Sequence, residues 1–155
     1  MLALPCADSS VLQRAWVRAR LATWYPDERT RAIVLAEQLP TRSMLATVVA
    51  TTQQFFRTGT LSDDSRAFYD KSTTGGSIRV RLIALQAYAE LTAAAGDAVA
   101  TTLAHVRSAV DLGLLDAAWT DGCPLLAQAR KDPSWPEQRA SVEERAIRVQ
   151  AAVRE

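Results

Sequence analysis

The chain has 155 residues, with 18 basic and 17 acidic side chains, and is therefore close to neutral. This balance excludes the large basic excess that long-range attraction to nucleic acid or anionic lipid requires. The length is sufficient for one domain with an adequate core. Two cysteines, no secretion signal and no run of roughly 20 apolar residues predict a cytoplasmic protein with free thiols and no membrane-spanning segment.

Residues 9–57 carry the apolar periodicity of three helices. Pro26 ends the first helix, because proline disfavours helical geometry in the residue before it. Pro40 ends the second helix, and the third, which is the most clearly amphipathic, ends at Gly59. The stripe that is predicted to face the core on the second helix consists of Ala32, Ile33, Ala36 and Leu39.

Residues 58–76 are polar and rich in turn-forming residues, which predicts a joint. A helix of one or two turns is expected between Asp63 and Lys71. The segment 73–76 ends in two glycines and enters the next helix, an arrangement that can bind phosphate through free backbone amides. It lacks the lysine and the preceding strand of a P-loop, so a flexible linker is the favoured interpretation.

Residues 77–113 predict two helices that are connected by Gly96 and Asp97. Apolar residues on more than one side of the first helix indicate several packing neighbours. Gly96 suits the left-handed position after a helix, and Asp97 is expected to cap the second helix, which ends at Gly113. Two helices with so short a connection pack antiparallel, so a helical hairpin is predicted.

Residues 114–155 predict a compact tail that ends in a helix. Trp119 is expected to lie in the core on a short helical turn, and Cys123, next to a proline, to be buried as a small apolar group. The last helix has a polar outer face, as a helix that caps an array requires. Its inner stripe consists of Val142, Ala146, Val149 and Val153. No segment shows the alternation of a strand, so the predicted fold is all-α, and residues 1–155 are expected to form a single all-helical domain.

The segment AVDLGLLDAAWTDGCPLLAQARKDPSW, residues 109–135, closely resembles the closing part of the repeat arrays of large bacterial serine/threonine protein kinases and related signalling regulators. The preceding hairpin resembles a tetratricopeptide repeat, with Leu85, Tyr88 and Ala89 at the large, large and small apolar positions of its first helix. The resemblance covers residues 77–149, about half of the chain. It departs from the repeat pattern at Thr92, where an aromatic residue is expected, and the kinase motifs themselves are absent from the sequence.

The resemblance implies antiparallel helical hairpins in a TPR-like array with a C-terminal capping helix. It also implies a non-catalytic module that binds a protein or peptide partner in signalling or assembly, without a cofactor. The first helix of such a hairpin lines the concave face, which implies that Ile83, Gln86, Glu90 and Ala93 lie there. Of these, Gln86 and Glu90 are the expected polar contacts to a partner. Because two or three hairpins are few for an array, the chain is expected either to belong to a larger regulator or to form a homo-oligomer.

The residues themselves add one contact prediction and one alternative function. Trp24 and Trp135, each beside a helix end that is broken by proline, are expected to stay partly exposed and to contact a partner. The alternative function is a helical regulator that binds nucleic acid or a small ligand through an arginine-rich surface, although the low basic excess disfavours nucleic acid. That surface comprises Arg14, Arg18, Arg20, Arg29 and Arg31.

Catalysis and metal binding receive little support from the sequence. His105 is the only histidine, and no nucleophile is identifiable beside it, so a partly buried packing role is predicted in place of a catalytic one. One histidine and two distant cysteines provide no metal-ligand spacing. No catalytic, cofactor-binding or metal-binding residues are therefore predicted.

Overall fold

The computed structural model describes residues 6–39 and 43–153, and these form helices and connecting turns without a strand. The all-α prediction is confirmed for this part of the chain. The structure consists of two compact units, Met1–Ala67 and Phe68–Glu155. Their boundary falls inside a helix of the predicted polar joint, and each unit is described by itself below.

Three helices build the core of the first unit: α1 (Cys6–Trp24), α2 (Glu28–Ala36) and α3 (Met44–Thr58), with α1 in contact with both of the others. On α2 only Val34 is fully buried, because this side chain faces the core between α1 and α3. Leu39 packs against the core, as predicted, but Ala32, Ile33 and Ala36 are exposed, with Ile33 at 47%, so the predicted stripe is wrong at these three residues. The buried core consists of Ala15, Ala19, Ala22, Val34, Val49 and Phe56.

Side-chain caps define the helix starts in this unit. The Asp27 carboxylate accepts a hydrogen bond from the backbone N of Thr30 at 2.9 Å and begins α2. Hydrogen bonds from the side chain and backbone of Thr30 hold the pKa of the Asp27 carboxyl below its usual value. Ser43 caps α3. The end of this helix at Gly59 was predicted from the sequence, and Gly59 has a φ of 72°. The following helix, α4 (Asp63–Thr74), is longer than the one or two turns expected.

Gln53 of α3 holds the end of α2. Its Nε2 donates to the backbone O of Val34 at 2.8 Å and to that of Glu37 at 2.9 Å, and the side chain is buried. Because Gln53→Ala removes the donor from both carbonyls, we expect it to lower the free energy of unfolding by about 1–3 kcal/mol, measured by urea denaturation. Gln13→Ala, at an exposed position of the same unit, is the control. Equal unfolding midpoints for the two variants would contradict this role of Gln53.

The second unit is built from α5 (Ile78–Ala94), α6 (Val99–Leu112), α7 (Ala117–Gly122) and α8 (Trp135–Val153). Two 3₁₀ turns connect α7 to α8, and α5 packs against both α6 and the first of these turns, Pro124–Ala127. Every residue from 84 to 92 is buried, which confirms that α5 has neighbours on more than one side. α5 and α6, which are close in sequence and packed together, form a helical hairpin.

The turn between α5 and α6 confirms one local prediction and corrects another. Gly96 has a φ of 75° and Gly113, at the end of α6, has a φ of 109°, so both lie in the left-handed region that favours glycine. Asp97 does not cap α6, because the capping position is occupied by Ala98, which makes no side-chain hydrogen bond. The connection is therefore longer than the two residues predicted, and Asp97 lies one residue before the capping position of α6.

The tail packs as predicted at its start and differs at its end. Trp119 and Cys123 are buried, as expected. The prediction that Trp135 stays partly exposed is wrong, because this side chain is only 4% exposed at the start of α8. On α8 the predicted inner stripe is buried at Val142, but Val149 is half-exposed and Val153 is 80% exposed. The prediction is therefore wrong for the last two residues, because α8 continues beyond the body that covers its first half.

Candidate interaction surfaces

The polar residues of α5 that are predicted to contact a partner form hydrogen bonds to the tail of the same unit. Gln86 is buried, and its Nε2 donates to Oδ2 of Asp116 at 3.2 Å. Glu90 is only 3% exposed, and its Oε1 accepts a hydrogen bond from the indole Nε1 of Trp119 at 2.6 Å. Partner contact through Gln86, Glu90 and the half-buried Ile83 stays a prediction. In this structure the two polar side chains connect α5 to α7.

An aromatic column passes through the second unit from α4 to α6. The rings of Tyr69 and Tyr88 are stacked with their centroids 4.8 Å apart, and Tyr88 stacks in turn on His105 at 4.0 Å. His105 is partly buried, so its packing role is confirmed. Beside the column, the hydroxyl groups of Thr92 and Thr102 are 3.3 Å apart and join α5 to α6. Thr92, which departs from the repeat pattern, is fully buried.

A small apolar cavity lies where the hairpin turn meets the tail. It has a volume of about 150 Å³ and an opening to the surface. Its walls come from the end of α5, the start of α6 and the 3₁₀ turns, so it exists only because the tail packs on the hairpin. It is lined by Ala93, Gly96, Asp97, Val99, Thr102, Leu125, Gln128 and Ala129. Of these, only Ala93 was named from the sequence as a surface residue of the hairpin.

A second, more polar depression of about 390 Å³ lies between α6 and the start of α8. A chain of hydrogen bonds crosses it: Arg107 donates to Oγ of Ser134 at 2.7 Å, and this hydroxyl donates to Oδ1 of Asp132 at 2.5 Å. The bonds from Ser134, together with the charge of Arg107, keep the pKa of the Asp132 carboxyl below its usual value. These three groups therefore satisfy one another and fix the start of α8.

Three of the five arginines that were predicted to form a basic surface interact inside the first unit. Arg18 lies 3.2 Å from Oε1 of Glu37 in an ion pair. Arg31 donates to the backbone O of Phe56 at 3.1 Å, and the guanidinium of Arg20 lies over a tryptophan ring. Arg14 and Arg29 are exposed and make no ion pair with the described residues. Three of the five guanidinium groups are therefore already engaged in intramolecular contacts.

Trp24 and its neighbours form the outward face of α1. The Trp24 ring is partly buried, at 5.2 Å from the Arg20 guanidinium, and its Nε1 has no hydrogen-bond partner among the described residues. Next to it, Val17, Leu21 and Tyr25 are exposed. Val17 and Leu21 lie one turn apart on the side of α1 away from the core alanines, and Tyr25 directly follows the end of this helix. The spacing of these residues is visible in the sequence, but no contact surface is predicted from it.

The remaining chemical groups provide no further candidate site. Among the described residues, no group of three or more histidine, cysteine, aspartate or glutamate side chains is arranged to hold a metal ion. Within the same part of the chain, no helix is both long enough and apolar enough to cross a lipid bilayer. No known protein-family model, curated protein or solved structure matches the chain.

Proposed function

We propose that the chain is a non-catalytic module for protein–protein interaction, acting as a cytoplasmic scaffold in signalling or assembly. In this proposal the α5–α6 hairpin is a TPR-like unit, the tail closes it, and the partner is a protein segment that binds at their junction. The observation that supports it is the apolar cavity at that junction. Homo-oligomerisation and membership of a larger regulator are compatible with the same proposal.

The size of this cavity favours a peptide side chain as its occupant. Sites for drug-sized ligands and cofactors usually have volumes of about 300–1,000 Å³. The cavity here has about 150 Å³, which is enough for a single aliphatic or aromatic group. One anchoring side chain that enters such a cavity, with the rest of the segment outside, is a common arrangement in protein interfaces.

The lining residues are consistent with an apolar anchor. Val99 is partly exposed at the cavity, and Leu125 and Ala93 are partly buried there, so an entering side chain would cover apolar surface from both the hairpin and the tail. Gln128 is exposed at the same site and can bond to the backbone of the partner segment. The cavity therefore combines an apolar anchor point with a polar edge, as interface hot spots do.

Filling the cavity tests this proposal. We expect Ala93→Leu, which places a larger side chain at the cavity wall, to reduce capture of the partner from a lysate of the native organism by at least about tenfold, measured by quantitative mass spectrometry. Ala104→Leu makes the same change at an exposed position of α6 and should capture the partner as the unaltered protein does. The same set of captured proteins at the same level with both variants would refute a binding role for the cavity.

The alternative function uses the five arginines for nucleic acid or a small ligand. Because Arg18, Arg20 and Arg31 already interact inside the first unit, fewer cations remain for phosphate contacts. A gel shift whose affinity falls steeply with salt would favour this alternative over the interaction module.

A further inference from the structure

The outward face of α1 is an apolar strip in the part of the first unit that faces solvent. Val17 is 46% exposed, Leu21 is 45% exposed and Tyr25 is 60% exposed. Val17 and Leu21 lie one turn apart on one side of α1, away from Ala15, Ala19 and Ala22 of the core, and Tyr25 directly follows the end of the helix. A helix that is apolar on two sides is expected to be covered on both, and here one side is uncovered.

Positive charge accompanies this strip. Between residues 10 and 24 the chain contains three arginines and no acidic residue. Arg14 is exposed beside Val17 without an ion pair to the described residues, and the Arg18 side chain keeps about half of its surface in solvent despite its contact with Glu37. A shallow depression of about 400 Å³ runs along the same residues, lined by Ser10, Gln13, Arg14, Val17 and Arg18.

Trp24 is the last residue of α1 and lies beside the strip, where its ring is partly buried. Tryptophan is enriched among the residues that dominate binding energies at protein interfaces.

We propose that this face of α1 docks an acidic amphipathic helix of another protein. The apolar stripe of that helix lies on Val17 and Leu21, and its carboxylates face Arg14 and Arg18. The arginines favour a partner with negative charge, because charges across an interface are complementary. The apolar strip favours a partner helix that also has an apolar side. This surface lies in the first unit, so the inference is independent of the cavity in the second.

The same features disfavour the other occupants of such a face. In an isologous contact between two copies of the chain, this face would meet itself, and residues 10–24 of the two copies would contribute arginines but no acidic residue. Anionic lipid requires clusters of several cations, and nucleic acid requires a basic excess with several phosphate contacts. Here Arg14 is the exposed cation without an intramolecular ion pair on this side of α1 within the described residues.

The test compares four probes on the full chain, with tryptophan fluorescence and fluorescence polarisation as readouts. The probes are a synthetic amphipathic helix with a leucine stripe and flanking glutamates, the same peptide with lysine at each glutamate, vesicles of phosphatidylserine and phosphatidylcholine, and a DNA duplex. We expect the acidic peptide to bind at least about tenfold more tightly than the lysine peptide. Its affinity should fall as salt is added, because the ion pairs are near the surface.

Two pairs of matched variants locate the contact. Arg14→Glu and Leu21→Glu should each weaken binding of the acidic peptide by about tenfold. Arg29→Glu and Ile33→Glu make the same changes on α2, and Ile33 is as exposed as Leu21, so both variants should bind as the unaltered protein does. Ala93→Leu should also leave this binding unchanged, which separates the outcome from that of the cavity.

Several results would overturn the proposal. One is equal affinity of the unaltered protein for the acidic and the lysine peptides, a comparison that does not depend on any variant folding correctly. Others are tighter binding to the vesicles or the DNA duplex than to the acidic peptide, or equal losses in the α1 and α2 variants. A dimer in analytical ultracentrifugation that Leu21→Glu dissociates would assign the face to a second copy of the chain.

Discussion

Replacing Trp119 by alanine is expected to lower the free energy of unfolding by about 3–5 kcal/mol, the largest effect of any single substitution proposed for this protein. Trp119 lies on α7 and is almost completely buried, so the truncation removes a large buried apolar group and leaves a void. It also removes the N–H that donates to Oε1 of Glu90 at 2.6 Å. Urea denaturation followed by circular dichroism measures the loss.

Two further variants separate packing from hydrogen bonding at this site. Trp119→Phe retains an aromatic ring but loses the donor, so we expect a smaller loss, about 1–3 kcal/mol, from the missing hydrogen bond to the buried Glu90 carboxylate. In a double-mutant cycle, Glu90→Gln should couple to Trp119→Phe, because the two side chains are in direct contact. Additive losses in the cycle would show that the hydrogen bond between Glu90 and Trp119 contributes nothing measurable. If Trp119→Ala destabilised the protein less than Gln53→Ala does, the place of Trp119 in the core would be contradicted.

Replacing Tyr88 by alanine is expected to have the second-largest effect, again about 3–5 kcal/mol. Tyr88 is buried at the centre of the aromatic column, with Tyr69 on one side and His105 on the other. Such ring pairs add about 0.5–1.5 kcal/mol each beyond the burial of their surface, so removal of the central ring breaks two of them at once.

The control for the column is Tyr88→Phe, which retains the ring and both stacking contacts. We expect it to destabilise the protein much less than Tyr88→Ala does, in the same urea titration. Near-ultraviolet circular dichroism provides a second readout, because the signal of the remaining aromatic residues depends on their fixed packing. If phenylalanine and alanine at position 88 destabilise the protein equally, the hydroxyl group, and not the ring, is the important part of Tyr88.

Local features of the sequence were sufficient to predict most helix ends. Gly59, Gly96 and Gly113 all follow the ends of helices at positive φ, because glycine adopts this conformation without the steric cost that other residues incur. The burial of Trp119 and Cys123 also followed from their neighbours in the chain. These predictions depend on interactions within a few residues, which the sequence shows directly.

Predictions failed where contact with a segment distant in sequence determines which face of a helix is buried. On α2, apolar residues lie on several sides, and contact with α1 and α3 selects Val34 over Ile33. On α8, the periodic stripe continues to Val153, but the body that covers it ends near its middle. The sequence pattern contains no information on where a covering element stops.

The candidate surfaces show the same division. From the sequence, Gln86 and Glu90 are polar residues one turn apart on a helix, a pattern that is typical of an exposed contact. The structure pairs them with Asp116 and Trp119, which lie 30 and 29 positions further along the chain. The cavity beside Ala93 likewise requires both the hairpin turn and the tail, so no single stretch of sequence contains it.

The sequence by itself determined that the described part of this protein is helical and where most of its helices end, because periodicity and glycine positions act over one or two turns. Only the tertiary structure decided which polar side chains are buried and which apolar ones, Val17 and Leu21 among them, remain in solvent. Burial depends on which helices meet, and that depends on contacts between residues far apart in the chain.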